Sequence, residues 1–253
     1  MGNYILTTDT HYGIDGDKTR KNHEKYLNKM AEAIKEHNCL AVIHAGDWIT
    51  HRQEQLEKTF ELFRSKIEIP IFTVFGNHDF WNERTKNRNK FNFLTYEQIC
   101  QKQIELLKKY NITHVGENPT VFNDILFMGM NGWYNNPNPP TNDLNFMSKT
   151  IDGKPTHDYL AQKAYNDLNK VLLTVDSFSA AKKVFLTHFP PLAETSEDLL
   201  YSGNPRFLEE IKASFDILIF GHTHEPVDKQ EGKFRILNAG AKYNFPDFKI
   251  ISL

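Results

Sequence analysis

The sequence predicts a mixed α/β architecture, on three observations. Short apolar runs alternate with helical periodicity through the first half. A tight pair of strand patterns occupies the middle, and apolar runs return in the last third. Strand–helix–strand order implies parallel pairing, whereas a hairpin-like middle implies antiparallel strands. At 253 residues, 40% apolar and 25% charged, the chain can bury a full core and has an ordinary globular composition. No repeat, low-complexity tract or linker interrupts it, so one domain over residues 1–253 is expected.

Taken in order, Tyr4–Thr7 predicts a strand and Lys21–His37 a helix with Leu27, Met30 and Ile34 on one face. A second strand follows at Leu40–Ile43. Gln53–Lys66 is a second helix with Leu56, Phe60 and Phe63 inward, and Ile69–Val74 a third strand. Thr95 and Gln98 have capping-box spacing, which opens a helix whose stripe is Tyr96, Cys100, Ile104 and Leu107. Val121–Phe122 and Ile125–Met130 pair through Asn123–Asp124. Residues 135–156, rich in Pro and Asn, form a long loop, and loops of that length are usually functional. His157–Leu173 predicts a helix with Leu160, Ala164, Leu168 and Val171 inward. Val184–Thr187 is a strand, Asn204 and Pro205 cap and begin a short helix, and Ile217–Phe220, Phe234–Leu237 and Phe248–Ile251 are strands.

Thirty basic against thirty-two acidic residues leave a formal charge of −2, which gives no overall drive toward nucleic acid or anionic membrane. Two cysteines, Cys39 and Cys100, make no disulfide framework and favour a cytoplasmic setting. The beginning of the chain does not read as a signal peptide, and no stretch approaches the roughly 18 apolar residues of a membrane span.

Five short polar clusters follow five of the predicted strands: Asp9-Thr10-His11, Gly46-Asp47, Gly76-Asn77-His78-Asp79, His188 and Gly221-His222-Thr223-His224. In parallel α/β sheets the carboxyl edge of the strands is where ligands bind, so clusters far apart in sequence can meet there. Two carboxylates, an amide oxygen and several imidazoles suit borderline divalent metals such as Mn, Fe, Zn, Co or Ni. Two such ions about 3.5–4 Å apart clamp the attacking and leaving oxygens in phosphoryl transfer.

In composition and order these clusters resemble the five motifs of the calcineurin-like metallophosphoesterase superfamily, over positions 9 to 224. The resemblance implies a four-layer sandwich of two mixed β-sheets flanked by helices. It implies one metal on Asp9, His11, Asp47 and His224 and a second on Asp47, Asn77, His188 and His222, with Asp47 bridging. It makes a metal-bridging hydroxide the nucleophile, His78 the acid or phosphate-orienting group, and Asp79 the support of His78. Manganese is the metal favoured for assay.

Departures narrow the branch. Protein Ser/Thr phosphatases of the superfamily carry Asp-Arg after Gly-Asp and Arg before Gly-Asn-His, whereas this chain has Gly46-Asp47-Trp48-Ile49-Thr50-His51 and Phe75. The His-Gly-Asp of lipid A-pathway hydrolases is replaced by His188-Phe189-Pro190. Asn238-Ala239-Gly240 resembles the family's Asn-Pro-Gly. The expected activity is hydrolysis of a small phosphomonoester or phosphodiester, such as a nucleotide, with residues 135–156 as substrate or lid loop.

The alternatives are a nucleic-acid-processing phosphatase or nuclease, motivated by Arg84, Lys86, Arg88 and Lys90, and a non-catalytic scaffold. A run of charges that long is more often plain surface. His23, His37, His44, His51, His114 and His157 read as packing or surface residues, with His44 and His51 flanking Asp47. Trp81, Trp133 and Tyr134 read as core anchors.

Overall fold

The structure, a computed structural model, describes residues 2–13, 16–50, 53–81, 96–134, 143, 147, 150–151, 154–192, 203–241 and 245–253. The capping position Thr95, His51 and the Arg84–Lys90 run lie outside these residues, as does most of 135–156.

One sheet is built from β1 (Asn3–Thr7), β2 (Val42–His44), β3 (Ile71–Thr73), β4 (Thr113–His114) and β13 (Phe248–Ser252), in the order β13-β1-β2-β3-β4. Its strands β1 to β4 are parallel, and β13 adds antiparallel to β1 with Tyr4 opposite Ile251. The second sheet contains β5 (Thr120–Phe122), β6 (Ile125–Met130), β9 (Lys182–Thr187), β10 (Ile217–Ile219), β11 (Val227–Glu231) and β12 (Phe234–Asn238). Its order is β11-β12-β10-β9-β6-β5, parallel in the centre with antiparallel edges. A two-stranded piece, β7 (Thr150–Ile151) and β8 (Lys154–Pro155), lies apart within the predicted loop.

The period-2 alternation of strand side chains explains the layering. Tyr4, Leu6, Ile43, Phe72, Ile125, Phe127, Val184, Leu186, Ile217 and Ile219 form one apolar cluster between the sheets. Phe72 of β3 and Phe127 of β6 stack across it at 4.5 Å and 15°. Fully burying a side chain of that kind contributes about 1.5–3 kcal/mol. The intervening residues, including Ile5, Val42, Ile71, Leu126, Phe185 and Leu218, join the cluster that holds the inward faces of the helices.

Those helices are α1 (Gly16–Glu36), α2 (Gln53–Arg64), α3 (Tyr96–Lys109), α4 (Thr156–Thr174) and α5 (Phe207–Ser214). In α4 the buried residues Leu160, Ala164, Leu168 and Val171 recur at helical spacing, as predicted. Beyond the ends of α1 and α3, Asn38 and Asn111 take the left-handed conformation that stops a helix. None of the helices among the described residues is long and apolar enough to cross a membrane.

Several expectations shift. The buried residues of α3 are Tyr96, Ile99, Gln103 and Leu107, with the expected Cys100 and Ile104 half-buried against the same core. Gln103 is drawn inward because its amide donates to the carbonyl of Asp79. Helix α5 begins at Phe207, since Pro205 and Arg206 form a turn in which Arg206 N donates to Asn204 Oδ1 at 3.1 Å. Both cysteines, Cys39 and Cys100, are free. The hairpin between β5 and β6 forms as expected, with Asn123 and Asp124 at φ 49° and 62°, the left-handed pair of a type I′ turn.

Candidate metal centre

Parallel pairing in both sheets brings the ends of β1, β2, β3, β9 and β10 to one edge. Asp9 N donates to Gly46 O at 3.0 Å and His11 N to Asp47 O at 3.0 Å, so the first two loops run side by side. Gly221 N donates to His188 O at 3.1 Å and joins the last two.

Asp9, His11, Asp47, His222 and His224 all have positive φ, between 44° and 69°. They are five of the nine non-glycine residues in that region among the described residues, so backbone strain concentrates here. Asp, Asn and His tolerate the left-handed region best, at a cost of about 1–3 kcal/mol each. The conformation turns successive side chains sharply off the strand ends.

The side chains converge in three overlapping groups able to hold a metal ion: Asp9, His11 and His224; His11, Asp47 and His78; and Asp47, His188 and His222. His224 Nε2 lies 3.4 Å from His11 Nε2 and 3.6 Å from Asp9 Oδ1. Asp47 Oδ2 lies 3.7 Å from His11 Nε2 and 3.4 Å from His188 Nε2, so one oxygen reaches both halves of the cluster. Asn77 Oδ1 lies 3.2 Å from His188 Nε2. All seven predicted ligands, and His78 with them, are therefore brought together.

Backbone carbonyls set the imidazoles. His188 Nδ1 donates to Ala45 O at 2.8 Å, His224 Nδ1 to Ala241 O at 2.7 Å, and His78 Nδ1 to Thr50 O at 2.7 Å. A carbonyl only accepts, so each of these Nδ1 atoms carries a proton and Nε2 is the nitrogen that could meet a metal ion or a substrate.

Asp79 does something other than expected. The sequence placed Asp79 as the support of His78, whereas His78 Nδ1 donates to Thr50 O. The Asp79 carboxylate accepts the backbone amides of Gly76 (2.9 Å), Asp47 (3.0 Å), Trp48 (2.9 Å) and Ile49 (3.3 Å). It holds the Asp47 loop and the Asn77 loop to each other.

Electrostatics follow from burial. Burial opposes charge on Asp47, yet His188 and His78 hold its carboxyl well below the usual range. Burial works against His188 too, and the Asp47 and Asp9 carboxylates overcome it, pushing the imidazole up to about 9. Burial, and then neighbouring imidazoles, keep His11 and His222 well below the ordinary histidine value. Burial also raises Asp9. Burial and the Asp47 carboxylate push Asp79 up to about 8 against the pull of its amide donors.

The pocket fits cations in its details. His222 Nε2 is buried with no hydrogen-bond partner among the described residues, and an orphaned imidazole nitrogen inside a carboxylate cluster suits a metal. Gly46 has φ +91°, and a Cβ there would come within 2.7 Å of His188 Nδ1 and 2.8 Å of Gly76 N. A Cβ on Gly76 would strike Asp47 Oδ1, so glycine is what lets the loops close around the ligands.

Some site neighbours were not recognised from the sequence. Asn131 accepts Phe75 N at 2.9 Å and His114 Nε2 at 2.8 Å through Oδ1, and His188 N at 3.2 Å through its carbonyl, tying the Asn77 loop to His188. Asp143 is buried against Asn77. Trp81 is the core residue the sequence suggested, but its ring also lies 3.7 Å from that of His78. His44 stacks on Trp48 at 3.6 Å beneath the site, and His23 Nε2 donates to Thr10 O at 2.7 Å. Both are packing residues, as expected.

The sequence pattern of the calcineurin-like phosphoesterases matches residues 3–226. The chain belongs to that family. Its two mixed sheets flanked by helices are the calcineurin-like phosphoesterase fold. Among solved structures it is similar to the phosphopantetheinyl hydrolase of Mycobacterium tuberculosis, with 14% identity, TM-score 0.68 and coverage of 98% of this chain and 95% of that one. It is also similar to a dimetal phosphatase from Danio rerio, at 10% identity, TM-score 0.56 and coverage of 94% and 87%. GAP50, the anchor in the inner membrane complex of Plasmodium, is similar at 15% identity, TM-score 0.53 and coverage of 95% and 71%. At these identities the likeness is one of fold. Among curated proteins none matches the chain. As a calcineurin-like phosphoesterase with His and Asp groups able to bind metal, the protein falls among the metal-dependent phosphoester hydrolases.

Proposed function

We propose that this phosphoesterase holds two divalent transition metal ions and hydrolyses small phosphomonoesters or phosphodiesters. Asp9, His11, Asp47 and His224 would hold one ion, and Asp47, Asn77, His188 and His222 the other. The observation that carries this reading is Asp47 Oδ2, within 3.7 Å of His11 Nε2 and 3.4 Å of His188 Nε2. Bound ions would supply a water acidic enough to attack near neutrality and would offset the phosphoryl charge. Mn, Fe, Zn, Co and Ni all suit the donor set, and manganese is the first choice for assay.

The chain's own residues do the rest. Thr50 O fixes the His78 ring, leaving Nε2 to donate a proton to the leaving alkoxide or to orient the phosphate. Asp79 acts on the backbone, holding the two loops at the distance the shared Asp47 requires. The whole chain acts as one domain, with segment 135–156 as its substrate loop, a reading supported by the hydrogen bond from Asn77 to Asp143 of that segment. Free Cys39 and Cys100 favour a cytoplasmic setting. The complete donor set argues against the scaffold alternative, even though the fold resembles that of GAP50.

The test is a panel of p-nitrophenyl phosphate, bis-p-nitrophenyl phosphate, cyclic nucleotides and single-stranded DNA and RNA on manganese-loaded protein. Turnover of the small esters, abolished by chelation and restored by manganese, is expected. No turnover of any small ester by protein holding two equivalents of metal would overturn the reading. A strong, salt-sensitive preference for the polynucleotides would favour the nuclease instead.

A further inference from the structure

Asp143 belongs to the Pro- and Asn-rich segment and is 1% exposed. Its Oδ1 accepts Asn77 Nδ2 at 2.9 Å and Trp81 Nε1 at 2.8 Å, and its Oδ2 accepts the Tyr134 hydroxyl at 2.9 Å. Three donors, two from residues 77–81 and one from Tyr134, converge on one buried carboxylate. Ionised, that group is acceptor-only and satisfies all three. A buried charge is tolerated because it is bonded this fully.

An amide has two unlike ends, and only its oxygen can ligate a cation. Nothing in the shape of Asn77 chooses which end faces His188. An acceptor-only partner on the outer side does choose: it takes the NH2 group and turns Oδ1 inward, where it lies 3.2 Å from His188 Nε2. The same carboxylate holds the Trp81 indole, whose ring lies 3.7 Å from that of His78.

We propose that Asp143 is a positioning residue of the metal centre, fixing the Asn77 amide with its oxygen toward the second metal position and seating Trp81 against His78. Asp143 thereby links a candidate metal ligand to the residue that packs on the proton-donating one. This rests on the two-metal reading of the site.

The test is calorimetric titration of metal-free protein with manganese, which reads binding and not activity. Wild type binds two equivalents. Asp143→Leu, which leaves no acceptor for the Asn77 amide, weakens one of them by at least about ten-fold, the usual loss when the partner of a ligand is removed, and leaves the other within about three-fold. In an Asn77→Asp background both ends of the ligand are oxygens, so orientation no longer matters, and adding Asp143→Leu costs less than about three-fold. Equal losses in both backgrounds, or equal weakening of both equivalents, would make Asp143 merely structural and overturn the proposal. Wild type that binds fewer than two equivalents overturns the two-metal reading itself, and this one with it. Should Asp143→Leu not fold, the Trp81→Phe, Tyr134→Phe double variant reads the same distinction. It keeps the bond to Asn77, so second-metal affinity stays within about three-fold, and a loss of about ten-fold refutes the assignment.

Discussion

Asp79 Oδ2 accepts the backbone amide of Asp47 at 3.0 Å, so the residue beside His78 holds the loop that carries the candidate shared ligand. The same oxygen accepts Gly76 N at 2.9 Å, and the other oxygen takes Trp48 N and Ile49 N. Asp79→Asn turns one acceptor into a donor facing amide N–H groups. Each buried donor left unpaired costs about 1–3 kcal/mol. A loss of about 3 kcal/mol is expected, lowering Tm by roughly 6–12 °C in calorimetry of the metal-free protein. If Asp79 served only His78, stability would stay near wild type while kcat fell.

Asp47→Asn removes the charge that faces both halves of the cluster. Bound manganese measured by elemental analysis falls from two equivalents to one or none, and kcat drops more than about 100-fold, exceeding the loss typical of a ligand's hydrogen-bond partner. Chelation of the wild type followed by manganese restores activity; the variant is not restored.

His78→Ala separates metal from proton. Its metal content stays at two equivalents while kcat falls by about 10²–10⁴, the range for a general acid. The loss is largest for alkyl esters and smallest for p-nitrophenyl esters, whose leaving group needs no proton. An equal loss across leaving groups would point to phosphate orientation instead.

His114 gives a pH dependence with a definite sign. Burial lowers its imidazole from 6.5 to about 4, with Lys163 assisting and Asn131 and Glu117 opposing. Between those values the unfolded chain binds a proton that the folded one refuses, so stability falls as pH drops through that window. From pH 7 to pH 5 the contribution is on the order of 2 kcal/mol. His114→Gln, which can still donate to Asn131, reduces the acid sensitivity of the metal-free protein by that amount, read as a smaller shift in urea midpoint.

Most strands and helices were legible because apolar spacing decides them, and the five polar clusters stood out because each follows such a run. What escaped was whatever lacks an apolar signature. Strand β11, Val-Asp-Lys-Gln-Glu, is a polar exposed edge, and β4 is two residues long. Gln103 sits inside although a helical stripe drawn by apolarity passes through Ile104. The seven candidate ligands were legible as residue types in order. Asp143 and Asn131 were not, because their importance lies in what they meet across 66 and 56 positions of chain. The partner of Asp79 was misassigned for a related reason: sequence shows side chains, and its partners are backbone amides.

The left-handed backbone at Asp9, His11, Asp47, His222 and His224 carries a consequence for how such a protein can change. Each of these positions accepts Asn or Gly with less strain than the residue it has, and none belongs to the apolar layers that close the sheets. Replacing one of these residues therefore leaves the apolar layers intact, and relieves strain and crowded charge. Catalysis is the costly state of this chain and a silent, well-folded descendant is the cheap one, so activity here persists only under continuous selection.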